Sequence, residues 1–597
     1  MKYALSVLLL LNSSLLTHAG ELADEREQAT AACRILDAWH ASQPEKVNRH
    51  LHMVCWTPAD REFPANYQAR LTRIMRHIQD FYAGEMQRLG FGSRTIGLQL
   101  DENQQLILHV VRGLHNTDHY SGASGSEIRN ECLPVLQAAG VNADGETIMI
   151  MCNLAIWDQK KLTFSHKSPY YASGSFRNGT AWQLDSPELD ATNLKLKKPI
   201  ISDTQYGRIS LGKHNSIFFG GIAHELGHAL GLPHCDARPN EAVRGKTLMG
   251  SGFQSYSDEI RGEGRGSILT LADALRLASH PQFSGSVEGL GDNATAAIEP
   301  LSITAEGNAI KVTGVVSGSP PVYAVVAYFD PDGGNDDDAT TASAVPDATG
   351  RFTLKSNALT RGKLGELRLF PLHANGSAAG ETSNTTFRYV YGVSQDGTLD
   401  MSVIEMRQEL TQFIAALNNK DDEKVKQIAN AIKSTKASAI VRSLLQPKTP
   451  EQTPAEYDGR STTISLTHFK PTAAKVGWGE PVFDRVPEEA TLLDSGGQIF
   501  ESGIYAHAPA SHTYQINGKW QTISGRVGLA SGHNGAVQFE VKGNGRSLWK
   551  SPVVYSDKTV EFDVKLKKVL QIELVTDPTV DGPGADWALW LEPTLKR

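Results

Sequence analysis

One stretch constrains this chain more than any other: His224-Glu225-Leu226-Gly227-His228-Ala229-Leu230-Gly231-Leu232-Pro233-His234. On a helix, His224 and His228 project from one face, one turn apart. The opposite face is apolar, because Phe219, Ile222, Leu226 and Leu230 keep the 3–4 spacing that buries a helix. Gly231 tolerates the positive φ that ends a helix, so the chain can turn back and bring His234 to the first two rings. Three imidazoles with one open position suit a catalytic zinc, since structural zinc sites are closed by four protein ligands. Glu225 adjoins the first ligand, where its carboxylate can accept a proton from metal-activated water.

The flanking sequence reads as an α/β unit over residues 47–285. Leu51, Met53 and Cys55 alternate with more polar neighbours as a first strand, and Leu106, Leu108 and Val110 as another. Tyr67, Leu71, Ile74, Ile78, Tyr82, Met86 and Leu89 share a helix face that Gly90 and Gly92 terminate. Ile148–Met151 is a buried central strand. Past the histidines comes Thr247-Leu248-Met249-Gly250, a tight turn carrying a methionine.

The extended His motif together with this turn resembles the metzincin clan of zinc peptidases. The resemblance implies one catalytic Zn²⁺ held by His224, His228 and His234, Glu225 as general base, and Met249 beneath the ion without binding it. It also implies a closing helix at Leu269–Leu277. The residue after the third His is Cys235, where the commonest families have Asp, Glu, Ser or Pro, which separates the chain from astacins, adamalysins, matrixins and serralysins. Three roles stay open for Cys235: disulfide partner, buried thiol, or a ligand that silences the zinc. Ser251 occupies a position where two of these families carry Tyr. Tyr256 is the nearest phenol that could face an oxyanion.

Lys2, the apolar run Leu5–Leu11 and the small-residue site near Ala19 read as a signal peptide over 1–19, so the expected location is secreted or periplasmic. An oxidising compartment permits disulfides, with Cys33–Cys55 and Cys132–Cys152 the shortest loops; buried unpaired thiols are the alternative. With 58 Lys+Arg against 66 Asp+Glu and no long basic run, the chain lacks the clustered cations that nucleic acid requires. No later segment is long and apolar enough to span a bilayer. The expected architecture is multidomain. A metzincin-like domain over 20–285 is followed by an Ig-like β-sandwich over 297–392, a helical hairpin spacer over 399–446 and a β jelly roll over 455–597. The acidic loop Asp330–Asp338 reads as a solvated turn, with Ca²⁺ as the alternative. The default oligomeric state is a monomer.

In the last segment, Gly477-Trp478-Gly479, Gly503 to Ala508, Val527-Gly528, Leu548 to Ser551 and Ala585 to Ala588 resemble the NPCBM family of carbohydrate-binding modules, which implies a galactose-binding-like jelly roll. Trp478, His507 and Trp587 are the candidate sugar contacts, since sugar recognition uses aromatic faces and hydrogen-bond donors. An exported zinc peptidase joined to such a module resembles the O-glycopeptidases of mucin-degrading bacteria. That resemblance implies a glycoprotein or mucin substrate cut beside O-glycosylated Ser or Thr. A general protease tethered to glycans and a glycan-binding adhesin with a vestigial peptidase domain are the competing expectations.

Overall fold

A computed structural model describes residues 24–41, 49–333, 336–378, 387–432, 434–446, 450–487, 492–533, 535–555, 558–580 and 582–597. The expected signal peptide, 1–19, lies outside the described residues. The chain is multidomain and rich in β-structure. It divides into two compact units, Met1–Thr360 with Leu369–Ala379, and Arg361–Arg368 with Gly380–Arg597. No described helix is long and apolar enough to cross a membrane.

The first unit is built on a five-stranded sheet. Its strands run in the order Leu108–Arg112, His52–Thr57, Thr147–Cys152, Gly179–Leu184, Tyr171–Gly174. The first four are parallel, and the Tyr171–Gly174 edge is antiparallel. Both faces of the central strands are covered, which is why His52–Thr57 and Thr147–Cys152 are buried at every position. Met53, Cys55, Met149 and Met151 meet the long helix Tyr67–Leu89 and the site helix Leu211–Ala229 on one side. Val54, Trp56, Ile148 and Ile150 meet the helix Gly125–Ala138 on the other. All five cysteines are free thiols, so the disulfide alternative is not realised. Cys132 and Cys152 instead fill one apolar cluster, where burial raises both thiol pKa values.

The edge strand is tied to the site helix by glycine. Gly174 and Gly179 face each other in the Tyr171–Gly174/Gly179–Leu184 pair. A Cβ on Gly174 would lie 2.1 Å from the Ala229 carbonyl oxygen, and one on Gly179 only 1.9 Å from it. The last turn of the helix can therefore seat its backbone directly on the strand pair.

Two further segments belong to this unit. A helix over 24–40 buries Ala29, Ala32 and Leu36 in the core shared with the site helix. Its Glu25 receives Arg238 and Arg244, each at 3.3 Å, from the segment after His234. The strands Thr295–Glu306, Ala309–Ser319 and Arg351–Ser356 form an antiparallel sheet, and Val322–Pro331 pairs with Thr340–Ala344. Thr340 bridges Asp236, and the Asp236 N–H donates to Ala339 O at 2.7 Å. This β-region thus braces the residues after the third histidine.

In the second unit, residues 399–446 hold three helices, Ser402–Asn418, Asp422–Ala431 and Thr435–Leu445, where the sequence suggested a two-helix hairpin. Ser434 caps the third helix by accepting the Ala437 N–H. These helices are packed in place: Leu410, Phe413 and Ile440 share a core with Ile499, and Arg407 bonds Asp494 and Gly497. Beyond them, two antiparallel sheets of short strands enclose an apolar core containing Tyr514, Trp520, Phe539 and Trp590.

The close helix–strand approach yields a stability contrast. Gly179→Ala should destabilise the first unit by about 1–3 kcal/mol through overpacking. Gly84→Ala, in a helix where an added Cβ meets nothing within 4 Å, should stabilise it by about 0.5–1 kcal/mol. Calorimetric melting of the two variants checks this; a Gly179→Ala melt no lower than that of Gly84→Ala contradicts it.

Candidate metal centre

The site helix starts at Ser210, whose hydroxyl accepts the Lys213 N–H, and is buried around most of its circumference. His214 anchors its first turns, with Nδ1 2.9 Å from Asp203 and Nε2 3.3 Å from Glu188. Burial works against a charge on His214, but its bonds to the two carboxylates prevail and raise its pKa. At the other end, Gly231 has φ +85°. Leu232 N–H donates to Gly227 O at 2.9 Å and Gly231 N–H to His228 O at 3.0 Å, the paired bonds of a Schellman stop.

That stop brings the three rings together. His228 Nε2 lies 3.1 Å from His224 Nε2 and 3.0 Å from His234 Nε2, and all three donor atoms fall within 4.8 Å of one another. The other ring nitrogens decide the tautomers. His224 Nδ1 is 2.7 Å from Leu248 O and His228 Nδ1 2.8 Å from Leu232 O. A carbonyl can only accept, so each Nδ1 carries the proton and each Nε2 presents a bare lone pair. Burial holds the pKa of His224 down at about 3 and that of His228 at about 4, which keeps both neutral. Lone pairs packed this closely repel unless a cation lies between them. Tetrahedral zinc with nitrogen ligands at about 2.0–2.1 Å spaces those nitrogens about 3.3 Å apart, close to the observed separations. The donor set therefore fits a zinc ion.

Met249 is fully buried in the turn below, where Gly250 N–H closes on Thr247 O at 3.1 Å. Its sulfur approaches the site helix at Gly227, where a Cβ would stand 2.5 Å from Sδ. Cys235 is buried and unpaired; its Sγ lies 3.6 Å from Thr247 Oγ1 and 3.6 Å from Asp273 Oδ1. Of its three open roles the structure realises the buried thiol. Tyr256 is not at the metal face: it is 1% exposed and packs its ring on His77 and Phe81.

Glu225 is half-buried. Burial pushes its carboxyl up to about 7, while a hydrogen bond from the Ala172 N–H pulls the other way. Ala172 belongs to the exposed edge strand Tyr171–Gly174, so the acid is held by the strand whose outer rim is open. Tyr170, just before that strand, has its hydroxyl on Gly221, where a Cβ would lie 1.4 Å away. That hydroxyl is buried with no hydrogen-bond partner among the described residues. Sequence reasoning missed both Tyr170 and the edge strand, because a four-residue strand carries too little periodicity to be seen.

In the second unit, the candidate sugar contacts converge. The Trp478 and Trp587 rings are 4.8 Å apart, and His507 is 6.4 and 6.2 Å from them. Trp478 is half exposed, whereas His507 and Trp587 are 8% exposed. His533, which no sequence pattern marked, stacks on Trp587 at 4.2 Å.

Comparison with known proteins gives the following. Residues 462–596 match the NPCBM/NEW2 domain family. Among solved structures, catalytically inactive OgpA from Akkermansia muciniphila, in complex with an O-glycopeptide substrate, is 22% identical with a TM-score of 0.49, covering 58% of this chain and 94% of that one. Wild-type OgpA from the same organism is 24% identical with a TM-score of 0.48, covering 59% and 94%. The CBM51 module of Clostridium perfringens GH95, in complex with methyl-galactose, is 21% identical with a TM-score of 0.22, covering 23% and 100%. None of the curated proteins matches this chain.

The three-histidine donor set does not include the Glu225 carboxylate. Glu225→Gln should therefore leave zinc uptake by the purified chain unchanged, whereas His228→Ala should lower it. Metal analysis of the two variants checks this; uptake lowered in Glu225→Gln or undiminished in His228→Ala contradicts it.

Proposed function

We propose that this chain is an exported zinc-dependent endopeptidase that cleaves glycoproteins of the mucin type, beside O-glycosylated Ser or Thr. The observation that carries the hydrolytic part is the convergence of His224, His228 and His234 on one point, with Glu225 following the first of them in the chain. His224, His228 and His234 would hold the ion. Zinc bound there supplies Lewis acidity and an acidified water. The carbonyls of Leu248 and Leu232 keep the His224 and His228 rings turned to the site. The Glu225 carboxylate accepts a proton from the attacking water and returns it to the leaving amine. The Ala172 N–H orients that carboxylate. The open rim of Tyr171–Gly174 offers main-chain N–H and C=O groups to an extended peptide, which would lie as an added strand.

The glycoprotein part rests on the NPCBM/NEW2 match and on the clustered Trp478, His507 and Trp587 rings of the same chain. An aromatic face half open to solvent suits stacking on a sugar ring. Trp478→Ala should weaken binding to immobilised glycans and leave hydrolysis of a short peptide unchanged. Unaltered glycan retention would remove Trp478 from the sugar site.

The decisive assay compares one peptide with and without an O-linked glycan. The glycosylated form should be cleaved at least about 10²-fold faster, since a site built around a sugar leaves polar groups unpaired when the sugar is missing. Equal rates would leave a general protease.

A further inference from the structure

Outside this centre, His115, His119 and Glu127 form a second set of metal-type donors, with one atom of each within 4.8 Å of the others. His119 Nε2 is 2.8 Å from Glu127 Oε1, and the two imidazole rings lie 4.0 Å apart, tilted by 31°. The His115 ring has no hydrogen-bond partner among the described residues. All three side chains are partly open to solvent, which leaves room for water as additional ligand.

The backbone under these side chains is fixed in advance. The Thr117 N–H and hydroxyl both donate to Asp60 Oδ1, each at 2.8 Å. The His115 carbonyl accepts the Ala59 N–H at 2.8 Å. The His115 N–H donates to Tyr120 Oη at 3.0 Å, and that hydroxyl donates to Glu131 at 2.7 Å. Glu127 comes from the first turn of the helix Gly125–Ala138. Two histidines on a pinned turn therefore face a carboxylate on a rigid helix, an arrangement that costs little ordering on binding.

We infer that His115, His119 and Glu127 form a second, surface site for a borderline transition-metal ion such as Zn²⁺. Two imidazoles and one carboxylate suit Zn²⁺, Cu²⁺ or Ni²⁺. They do not suit Ca²⁺ or Mg²⁺, which take oxygen ligands. The site also has a position of interest. A Cβ on Gly125 would stand 2.1 Å from Tyr171 Oη, and one on Gly122 would lie 3.8 Å from Ser168 O. The loop joining His119 to Glu127 therefore lies against the segment that runs into the edge strand. An ion bound across the loop would staple it there.

The test uses the full chain, stripped of metal with chelator and equilibrated with ZnCl₂ at low micromolar free zinc. Bound zinc should approach about two ions per chain, and His119→Ala and Glu127→Ala should each hold about one. Because both side chains are solvent-exposed, the metal-free variants should melt as wild type does. His224→Ala should lose the other ion and keep the one at His119. A His119→Ala/Glu127→Ala double variant that binds as much zinc as wild type, or a His224→Ala variant that binds none, overturns the site.

Discussion

The site depends on holding His228 Nε2 3.1 Å from His224 Nε2 and 3.0 Å from His234 Nε2. Without a cation this arrangement is repulsive, so the surrounding protein must hold it. Two carbonyls do so directly, each accepting a hydrogen bond from an Nδ1–H and leaving the Nε2 of that ring bare. Those carbonyls come from different places. Leu232 lies in the turn that ends the site helix, and Leu248 in the turn that carries Met249. The orientation of the His224 and His228 rings is thus set by backbone, which has little freedom to relax.

That backbone is itself clamped from several sides. Glycine at 174 and 179 lets the end of the helix rest on the strand pair, and glycine at 227 admits the Met249 sulfur. The segment after His234 is held by Thr340 and Ala339 of the β-region, and its Arg238 and Arg244 by Glu25 of the helix over 24–40. Cys235 Sγ meets Asp273 Oδ1 at 3.6 Å, tying the residue after the third histidine to the helix Leu271–Ser279. The first compact unit is therefore larger than the stretch bearing the motif, since pieces far apart in sequence brace the same few residues.

Much of this was legible because it is written in short spacings. The i, i+4 histidines, the terminating glycine and the apolar back face all depend on helix periodicity, and Phe219, Ile222, Leu226 and Leu230 are buried. Less was legible where tertiary contacts decide. Leu106, Leu108 and Val110 suggested one inward face, but the strand is Leu108–Arg112 at a sheet edge, with Val110 40% exposed and Val111 buried. Tyr256 is near the methionine in sequence yet packs on His77 and Phe81 in the core. Tyr170, the nearby phenol that adjoins Glu225, precedes the motif by some fifty residues and lies in no recognisable pattern. The helix Thr435–Leu445 was hidden because its partners, among them Ile499, are brought close only by folding.

We propose that one zinc ion is shared by the three Nε2 atoms. Anomalous diffraction at the zinc absorption edge, from crystals of the full chain, would locate it. A strong peak is expected within about 2.0–2.1 Å of Nε2 of His224, His228 and His234 together. Zinc-grown crystals with no peak among those rings, or a peak bonded to only one of them, would contradict it.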